Sequence, residues 1–400
     1  MGYVGPVTFV LIVLAVIFLL DLLCLILTVK LLRGRWRWFA IPFVLAQIVG
    51  LGWLVASRFS EAIPDLPIPL LAVVYLWHLV GISLFLVVAT AAIGVAVWSA
   101  LRKALQSSPT AAPQATDQYG MSRREFLGTA AALTPPLVVT GLTAAALTKL
   151  DHFRIRQIDI PLPQLPAALD GMTIAHVSDM HVGPFTSGAV LREIVQATNG
   201  LRADLVLLTG DLINHALDAL PEAIEVVKAM EAKLGVWTIE GNHDLIENGR
   251  EFERRMRTSG VNFLLNESAT LHVHGQSVQL LGLQWVPRRQ GDYEAALSEA
   301  VRELLSQRNA DAFPLLLAHH PHAFDTAARH GIPLTLSGHT HGGQLMLNEN
   351  AGFGPAMFRY WSGLSTLGDS RIVVSNGVGN WFPLRVNAPA EILHLTLRRS

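Results

Sequence analysis

The stretch 333–343, with the sequence PLTLSGHTHGG, runs from an apolar segment directly into a Gly-His-Thr-His group. Four more polar groups each follow a short apolar run: Asp179-Met180-His181, Gly210-Asp211, Gly241-Asn242-His243-Asp244 and His319-His320. The runs before the five groups predict buried strands at Thr173–Val177, Leu205–Thr209, Val236–Ile239, Leu315–Ala318 and Pro333–Leu336. Helical stretches separate these strands, which favours an α/β sheet, and in such sheets sites form beyond the carboxyl ends of the strands.

The polar side chains of these groups are ligand types for divalent metal ions. Carboxylate, imidazole and amide groups without thiolate suit Mn, Fe or Zn. The chain has a single cysteine, Cys24, which excludes a thiolate cluster and a disulfide within the chain. His176 lies inside a predicted strand and is interpreted as a core histidine. Five ligand-rich groups in this order therefore predict one metal centre at the strand ends.

The ordered groups D-x-H, GD, GNHD, H and GHTH resemble the calcineurin-like metallophosphoesterases. The segment Gly338–Gln344, taken with Ser375–Gly379, is similar to the membrane-associated bacterial branch, some members of which carry twin-arginine signals. The resemblance covers roughly residues 155–399. It implies an α/β fold class in which N-terminal transmembrane helices precede a four-layer α/β/β/α sandwich. Helices at Ser187–Asn199, Leu217–Lys233 and Tyr293–Leu305 should cover the sheets, since their apolar residues recur three and four apart.

The resemblance also implies two divalent metal ions and an attack on phosphorus by a hydroxide held between them. It assigns seven ligands: Asp179, His181 and His341 on the first ion, Asn242, His319 and His339 on the second, and Asp211 bridging both.

Two further residues of the GNHD group receive catalytic roles from the same resemblance. His243 would contact the phosphate and protonate the leaving oxygen, and Asp244 would orient His243. His319, rather than the adjacent His320, is assigned as the ligand because it comes first after the strand. Asn214 stands where many relatives have a carboxylate, so a charge beside the site is missing.

The first 150 residues are too apolar for a wholly soluble enzyme. Of the 400 residues, 51% are hydrophobic and 15% are charged. Three segments reach the ~20 residues that a bilayer requires or come close to it: Val7–Val29, Phe39–Ala56 and Leu70–Trp98. Asp21 and His78 are polar residues at membrane depth, where such residues are functional, paired or simply part of helix packing. We expect a three-span region over residues 1–105.

A stretch rich in Ser, Pro, Ala, Thr and Gln follows and predicts a flexible linker at residues 106–121. The sequence SRREFL at 122–127 then leads into the weakly apolar Gly128–Leu150. This region, 122–150, resembles a twin-arginine export signal at an unusual internal position. An ordinary fourth span and a chain that starts at Met121 are the alternatives. Residues 151–400 would form the calcineurin-like domain.

Basic residues around the spans predict the orientation. The first and third spans are followed by the basic residues Lys30, Arg33, Arg35, Arg37, Arg102, Lys103, Arg123 and Arg124. The loop Ser57–Pro67 carries one Arg and two acids, as expected outside. We therefore expect a multi-pass protein of the bacterial cytoplasmic membrane with its catalytic domain in the periplasm or outside the cell.

The expected activity is metal-dependent hydrolysis of phosphate esters, by a phosphodiesterase or a phosphomonoesterase, with manganese among the candidate ions. A membrane tether favours lipid-linked or envelope phosphates. A cytoplasmic pyrophosphatase of the UDP-diacylglucosamine type is an alternative that conflicts with the orientation, and an inactive sensor or scaffold is another. The membrane and a phosphorylated substrate are the expected partners, and a net charge of −1 gives no indication of nucleic acid. The oligomeric state stays open.

Overall fold

The computed structural model describes residues 6–32, 35–57, 63–105, 123–287, 292–348 and 350–400. Contacts divide the chain into two units, Met1–Thr148 and Lys149–Ser400. The predicted linker at 106–121 lies outside the described residues, so its flexibility stays a prediction.

The first unit is helical. Its helices are α1 (Pro6–Leu31), α2 (Arg37–Ser57), α3 (Ile68–Leu76), α4 (Ile82–Leu105) and α5 (Arg123–Leu147). A π-helical turn at Trp77–Gly81 joins α3 to α4 without a break. Four stretches are long and apolar enough to cross a membrane: Leu11–Leu31, Arg37–Ser57, Ile68–Arg102 and Glu125–Leu147. The third of these extends beyond the predicted Leu70–Trp98 at both ends.

The π turn brings two polar residues of the apolar region together. Asp21 is fully buried, and its Oδ1 accepts a hydrogen bond of 2.8 Å from Trp77 Nε1. Its Oδ2 lies 2.9 Å from His78 Nε2, and His78 Nδ1 lies 2.7 Å from the carbonyl oxygen of Val74. The two polar residues predicted at membrane depth are therefore partners of each other.

The second unit contains two six-stranded mixed sheets. The first has the order β1-β14-β2-β3-β4-β5 and the second β12-β13-β9-β8-β7-β6. The strands are β1 (Phe153–Leu162), β2 (Thr173–Val177), β3 (Leu205–Thr209), β4 (Val236–Ile239), β5 (Asn262–Phe263), β6 (Glu267–Val273), β7 (Gln276–Gly282), β8 (Ala312–Leu317), β9 (Leu334–Ser337), β10 (Met346–Asn348), β11 (Ala351–Gly352), β12 (Gly363–Leu367), β13 (Ser370–Val374) and β14 (Ala390–Arg399). Strands β10 and β11 form a separate antiparallel pair.

Helices lie on the outer faces of the two sheets, which confirms the predicted fold class. These helices are α6 (Ala189–Gly200), α7 (Leu220–Lys228), α8 (Gly249–Thr258), α9 (Tyr293–Leu305) and α10 (Ala323–Arg329), and a short α11 (Phe353–Met357) follows β11. Side chains such as Ile174 and Leu207 from one sheet share a core with Leu315 and Leu336 from the other. The alternate residues of the first sheet pack with α6, α7 and α8, whereas α9 and α10 cover the second sheet.

One predicted covering helix is shorter in the structure. Leu217–Lys233 was expected, but α7 ends at Lys228. The side chain of Asn199 bonds both the carbonyl of Ala229 and the backbone N–H of Glu231, at 2.9 Å each. A side chain from α6 thus satisfies backbone groups at the end of α7, which stops the helix.

Candidate metal centre

Five strands of the two sheets end next to the polar groups of the sequence. Strands β2, β3 and β4 are parallel neighbours, and so are β8 and β9. Asp179 follows β2, Asp211 follows β3, Asn242 follows β4, His319 follows β8 and His339 follows β9. Because the carboxyl ends of parallel neighbours lie at one edge of a sheet, each sheet presents its polar groups at a single edge.

The backbone turns sharply where these side chains enter the site. Five of the ten described non-glycine residues with positive φ are candidate ligands: Asp179 (52°), His181 (46°), Asp211 (53°), His339 (73°) and His341 (48°). Left-handed conformations of such residues cost roughly 1–3 kcal/mol each and concentrate at functional sites. Asp179 N donates to the carbonyl of Gly210 at 3.1 Å and His181 N to that of Asp211 at 3.0 Å. Neighbouring loops thus hold one another in this conformation.

A first donor group consists of Asp179, His181 and His341, all buried. His341 Nε2 lies 3.4 Å from Asp179 Oδ1, and His181 Nε2 lies 3.0 Å from His341 Nε2. Burial lowers the pKa of both imidazoles well below the ordinary value, so both are neutral. Neutral imidazole nitrogens that converge beside a carboxylate fit the ligand set of a divalent cation.

A second donor group consists of Asp211, His319 and His339. His319 Nε2 lies 3.2 Å from Asp211 Oδ2, and His319 Nδ1 donates to the carbonyl of Thr209 at 2.6 Å. The same Asp211 Oδ2 lies 3.5 Å from His181 Nε2 of the first group. Asp211 therefore faces both donor groups, as a bridging carboxylate must.

The charges and the amide of the site also fit metal ions. Burial raises the pKa of Asp179 to about 6. The charge of His319 lowers this pKa, and the nearby charge of Asp211 raises it. Burial would also raise the pKa of Asp211, but His319 holds it well below the ordinary value. The buried Oδ1 of Asn242 accepts no hydrogen bond from any residue that the structure describes. A cation in the site would offset the repulsion between the carboxylates and give the unsatisfied amide oxygen a partner.

The predicted ligands Asp179, His181, Asp211, His319, His339 and His341 thus lie in these two donor groups, and a third group joins His181 and Asp211 with His243. His320 lies outside all three, and its Nδ1 accepts from the backbone N–H of His322 at 3.2 Å. The structure therefore brings His319 rather than His320 to Asp211. His176, interpreted as a core histidine, is buried and its Nε2 lies 2.9 Å from Thr209 Oγ1.

Comparisons with known proteins match this arrangement. The family model described as calcineurin-like phosphoesterase matches residues 172–343. An uncharacterized metallophosphoesterase of Bacillus subtilis, YkuE, is 30% identical over 291 residues, which cover 70% of this chain and 98% of that protein. The chain belongs to the calcineurin-like phosphoesterase family.

Two further matches place this metallophosphoesterase among its relatives. A transmembrane protein with metallophosphoesterase domain of Danio rerio is 30% identical over 277 residues, 67% of this chain, which spans 62% of that protein. A solved structure described as "GAP50 the anchor in the inner membrane complex of Plasmodium" matches 53% of this chain and 73% of that chain, at 13% identity and a TM-score of 0.35. The first match, with the four apolar helices, indicates a membrane protein, whereas the second is too weak for any conclusion.

The contacts of His243 correct one predicted role. His243 Nδ1 lies 2.6 Å from the main-chain carbonyl of Asn214, and His243 N donates to Asp211 Oδ1 at 2.8 Å. The two oxygens of Asp244 instead accept from Ile213 N at 3.0 Å and Gly241 N at 2.8 Å. Asp244 was expected to orient His243, but it holds the two loops together while Asn214 orients the ring.

Arg385 contacts the site, and the motif comparison gave no indication of it. Its guanidinium donates to His341 Nδ1 at 2.9 Å and makes short hydrogen bonds to Gly379 O (2.6 Å), Asn376 O (2.7 Å) and Asn380 Oδ1 (2.8 Å). Burial lowers its pKa to about 10, so it stays charged at neutral pH. The sequence signal that could have indicated Arg385 is its isolation: it is the only charged residue between Arg371 and Glu391.

Two tryptophans flank the metal centre and were also missed. The Trp285 ring lies 5.3 Å from the ring of His339, and the Trp381 ring lies 5.8 Å from that of His243. Both are half-buried, so each presents an aromatic surface to solvent and another to the site. An aromatic surface on each side can contact the organic part of a phosphate ester.

Proposed function

We propose that the chain is a membrane-anchored hydrolase of phosphate esters that uses two divalent ions. The position of Asp211 carries this proposal, because one buried carboxylate lies within 3.5 Å of an imidazole nitrogen in each donor group. Two ions held by the predicted ligands would supply positive charge to polarise the phosphoryl oxygens. Manganese, iron and zinc all suit this mixture of oxygen and nitrogen donors.

The residues of the chain supply position and proton transfer. Asp211 is itself fixed by the backbone N–H of His243, which keeps the carboxylate between the two groups. Since the Asn214 carbonyl only accepts, His243 Nδ1 carries a hydrogen, and Nε2 is the nitrogen left to act on substrate. We therefore assign His243 as the general acid: with hydrogen on both ring nitrogens, it would keep Nδ1–H on the Asn214 carbonyl and pass the Nε2 proton to the leaving oxygen.

Lipid-linked or envelope phosphates are the proposed substrates. The chain carries four helices able to cross a membrane, so lipid headgroups would surround the domain at high local concentration. The half-buried Trp285 and Trp381 offer contact area for an organic group on either side of the phosphate. Whether a monoester or a diester is cleaved depends on the side chains that contact the organic group, such as these two tryptophans, rather than on the metal ligands.

An assay of the purified full chain in detergent tests the activity. The apo protein would receive Mn²⁺, Fe²⁺ or Zn²⁺ and then a panel of phosphomonoesters, phosphodiesters and lipid pyrophosphates. Asp211→Asn is the matched control, since it keeps the shape and removes the charge. Metal-dependent turnover that Asp211→Asn abolishes is expected. Metal binding without turnover of any ester would favour the inactive scaffold instead.

The proposed placement of the domain, outside the cytoplasm, needs a separate test. Its basis is the basic-loop pattern around four spans, which include the helix that begins at Arg123-Arg124. Protease treatment of intact spheroplasts should cut the domain, and alkaline phosphatase fused after Leu150 should be active. A domain cut only after lysis would reverse the orientation and make the cytoplasmic nucleotide-sugar pyrophosphate the leading substrate.

A further inference from the structure

A short segment beside the metal centre exposes large apolar side chains. The segment, residues 346–357 and called the rim segment below, contains β10, β11 and α11, and residue 349 within it is not described. Leu347 is 83% exposed, Phe353 54% and Met357 64%. In the described part of the second unit only three other large apolar side chains are comparably exposed: Ile155, Ile246 and Leu367. Three of the six exposed large apolar residues among the described residues of this unit thus lie in one segment.

The rim segment is attached directly to the last ligand group. A side-chain carbon added to Gly343 would lie 2.5 Å from the Cα of Gly354, so the start of α11 packs against the GHTHGG turn. Phe353 N donates to the carbonyl of Leu345 at 3.1 Å, and the ring of Phe358, just after the segment, lies 5.7 Å from the ring of His339. A surface that binds the rim segment would therefore lie close to the metal centre.

The pattern of side chains in the rim segment identifies the kind of surface. Met346 is buried and anchors β10, whereas Leu347 points outward beside the exposed Asn348 and Asn350. Exposed polar and apolar side chains thus lie within a few residues of each other. Such mixing suits the boundary between lipid headgroups and acyl chains, whereas the core of a protein–protein interface is more uniformly apolar.

We propose that the rim segment docks on the lipid bilayer and inserts Leu347, Phe353 and Met357 at headgroup depth. The chain itself supplies the reason for choosing lipid, because it carries four helices that can cross a membrane. Only residues 148–152 separate α5, the fourth stretch able to cross a membrane, from β1. Lipid would therefore stay at high local concentration around the domain. This inference rests on the proposed membrane anchoring but not on the proposed hydrolysis.

A fluorescent label at the rim segment tests the docking directly. In a Cys24→Ala background, Leu347→Cys would carry an environment-sensitive dye, and the full chain would be reconstituted in phosphatidylcholine–phosphatidylglycerol vesicles. Because Leu347 is 83% exposed, the label disturbs no packing. We expect a blue-shifted emission that loses about half or more of its intensity when the vesicles contain lipid with a quencher high on the acyl chain. Met357→Cys provides a second, independent position.

The control is Leu367→Cys, a residue that is 43% exposed on β12. Its label should stay unquenched in the same vesicles. Labels at 347 and 357 that emit as in water, or no more quenched than the label at 367, would overturn the proposal. A blue shift without quenching would also overturn it, because protein rather than lipid would then cover the segment.

An activity measurement separates this inference from the proposed hydrolysis. The triple variant Leu347→Ser, Phe353→Ser, Met357→Ser should hydrolyse a water-soluble ester as fast as the natural chain. Its kcat/KM for an ester held in vesicles should fall about tenfold or more, since three apolar contacts with lipid are lost. Equal losses on both substrates would show a damaged site and contradict docking. The quenching result stands even if neither ester is cleaved.

Discussion

Replacing Arg385 by Met should destabilise the catalytic domain and loosen its first donor group. The guanidinium makes six hydrogen bonds, four of them at 2.9 Å or shorter, and three of these four reach Asn376 O, Gly379 O and His341 Nδ1. At a net value of ~1 kcal/mol for each short bond, the free energy of unfolding should fall by about 4 kcal/mol. A domain of this size loses ~2–4 °C per kcal/mol, so its melting temperature should fall by about 8–16 °C.

Scanning calorimetry of the full chain in detergent with a chelator measures this change without any contribution from metal. Arg385→Lys keeps the charge and part of the hydrogen bonding, so its melting temperature should lie between those of the natural chain and Arg385→Met. Arg359→Met is the matched control, because Arg359 is 66% exposed and its ion pair with Asp325 at 3.0 Å is a surface pair. That variant should melt within about 2 °C of the natural chain.

Metal binding gives a second measurement on the same variants. Loss of the contact to His341 Nδ1 frees the ring, and loss of such supporting contacts commonly weakens metal affinity by about 10–100-fold. Equilibrium dialysis with Mn²⁺ should show this loss for Arg385→Met and not for Arg359→Met. The reasoning is refuted if Arg385→Met melts and binds metal like the natural chain, or if Arg359→Met is affected as strongly.

Three further predictions concern single residues of the domain. Asp211→Asn should reduce turnover by more than about 100-fold, because several kcal/mol of charge stabilisation depend on the metals that Asp211 holds. A steady-state assay at saturating Mn²⁺ measures this, and normal turnover would contradict the bridging role. His243→Ala should slow turnover by ~10²–10⁴-fold with unchanged metal content by elemental analysis, and loss of both ions would make His243 a ligand instead. Burial lowers the pKa of His176 from 6.5 to about 3, so below pH 6.5 only the unfolded chain binds this proton. Stability should therefore be complete above pH 6.5 and fall by up to ~1.4 kcal/mol per pH unit towards pH 3, and His176→Leu should flatten that slope in denaturant titrations at each pH.

The sequence predicted the strands of the two sheets best where strong local patterns exist. Thr173–Val177, Leu205–Thr209 and Val236–Ile239 have the same bounds in the structure, because short apolar runs followed by Ser178, Gly210 or Glu240-Gly241 admit few other conformations. Strand β1 was not predicted, since its exposed residues, such as Arg154 and Gln157, hide the pattern, and its parallel pairing with β14 joins positions more than 230 residues apart.

In the candidate site, too, residues within sequence motifs could be predicted, whereas contacts from loops distant in sequence could not. The ligand types could be assigned from motif order, but Arg385, Trp285 and Trp381 reach the site through loops that carry no spacing rule. The role of Asp244 was wrong because the sequence does not reveal which carbonyl a histidine ring will meet. The positive φ of Asp211 and four other candidate ligands is likewise a property of packed loops.

The contacts of His78 fix the number of protons that His78 and the buried acid of α1, Asp21, hold together. The carbonyl of Val74 can only accept, so His78 Nδ1 must carry a hydrogen. Nε2 and Asp21 Oδ2, 2.9 Å apart, then require one more hydrogen between them, on the ring or on the acid, because two lone pairs would repel. Acid and imidazole together thus carry no net charge. A neutral pair costs far less in hydrocarbon than a lone carboxylate, which explains how α1 can contain an aspartate and still cross a bilayer.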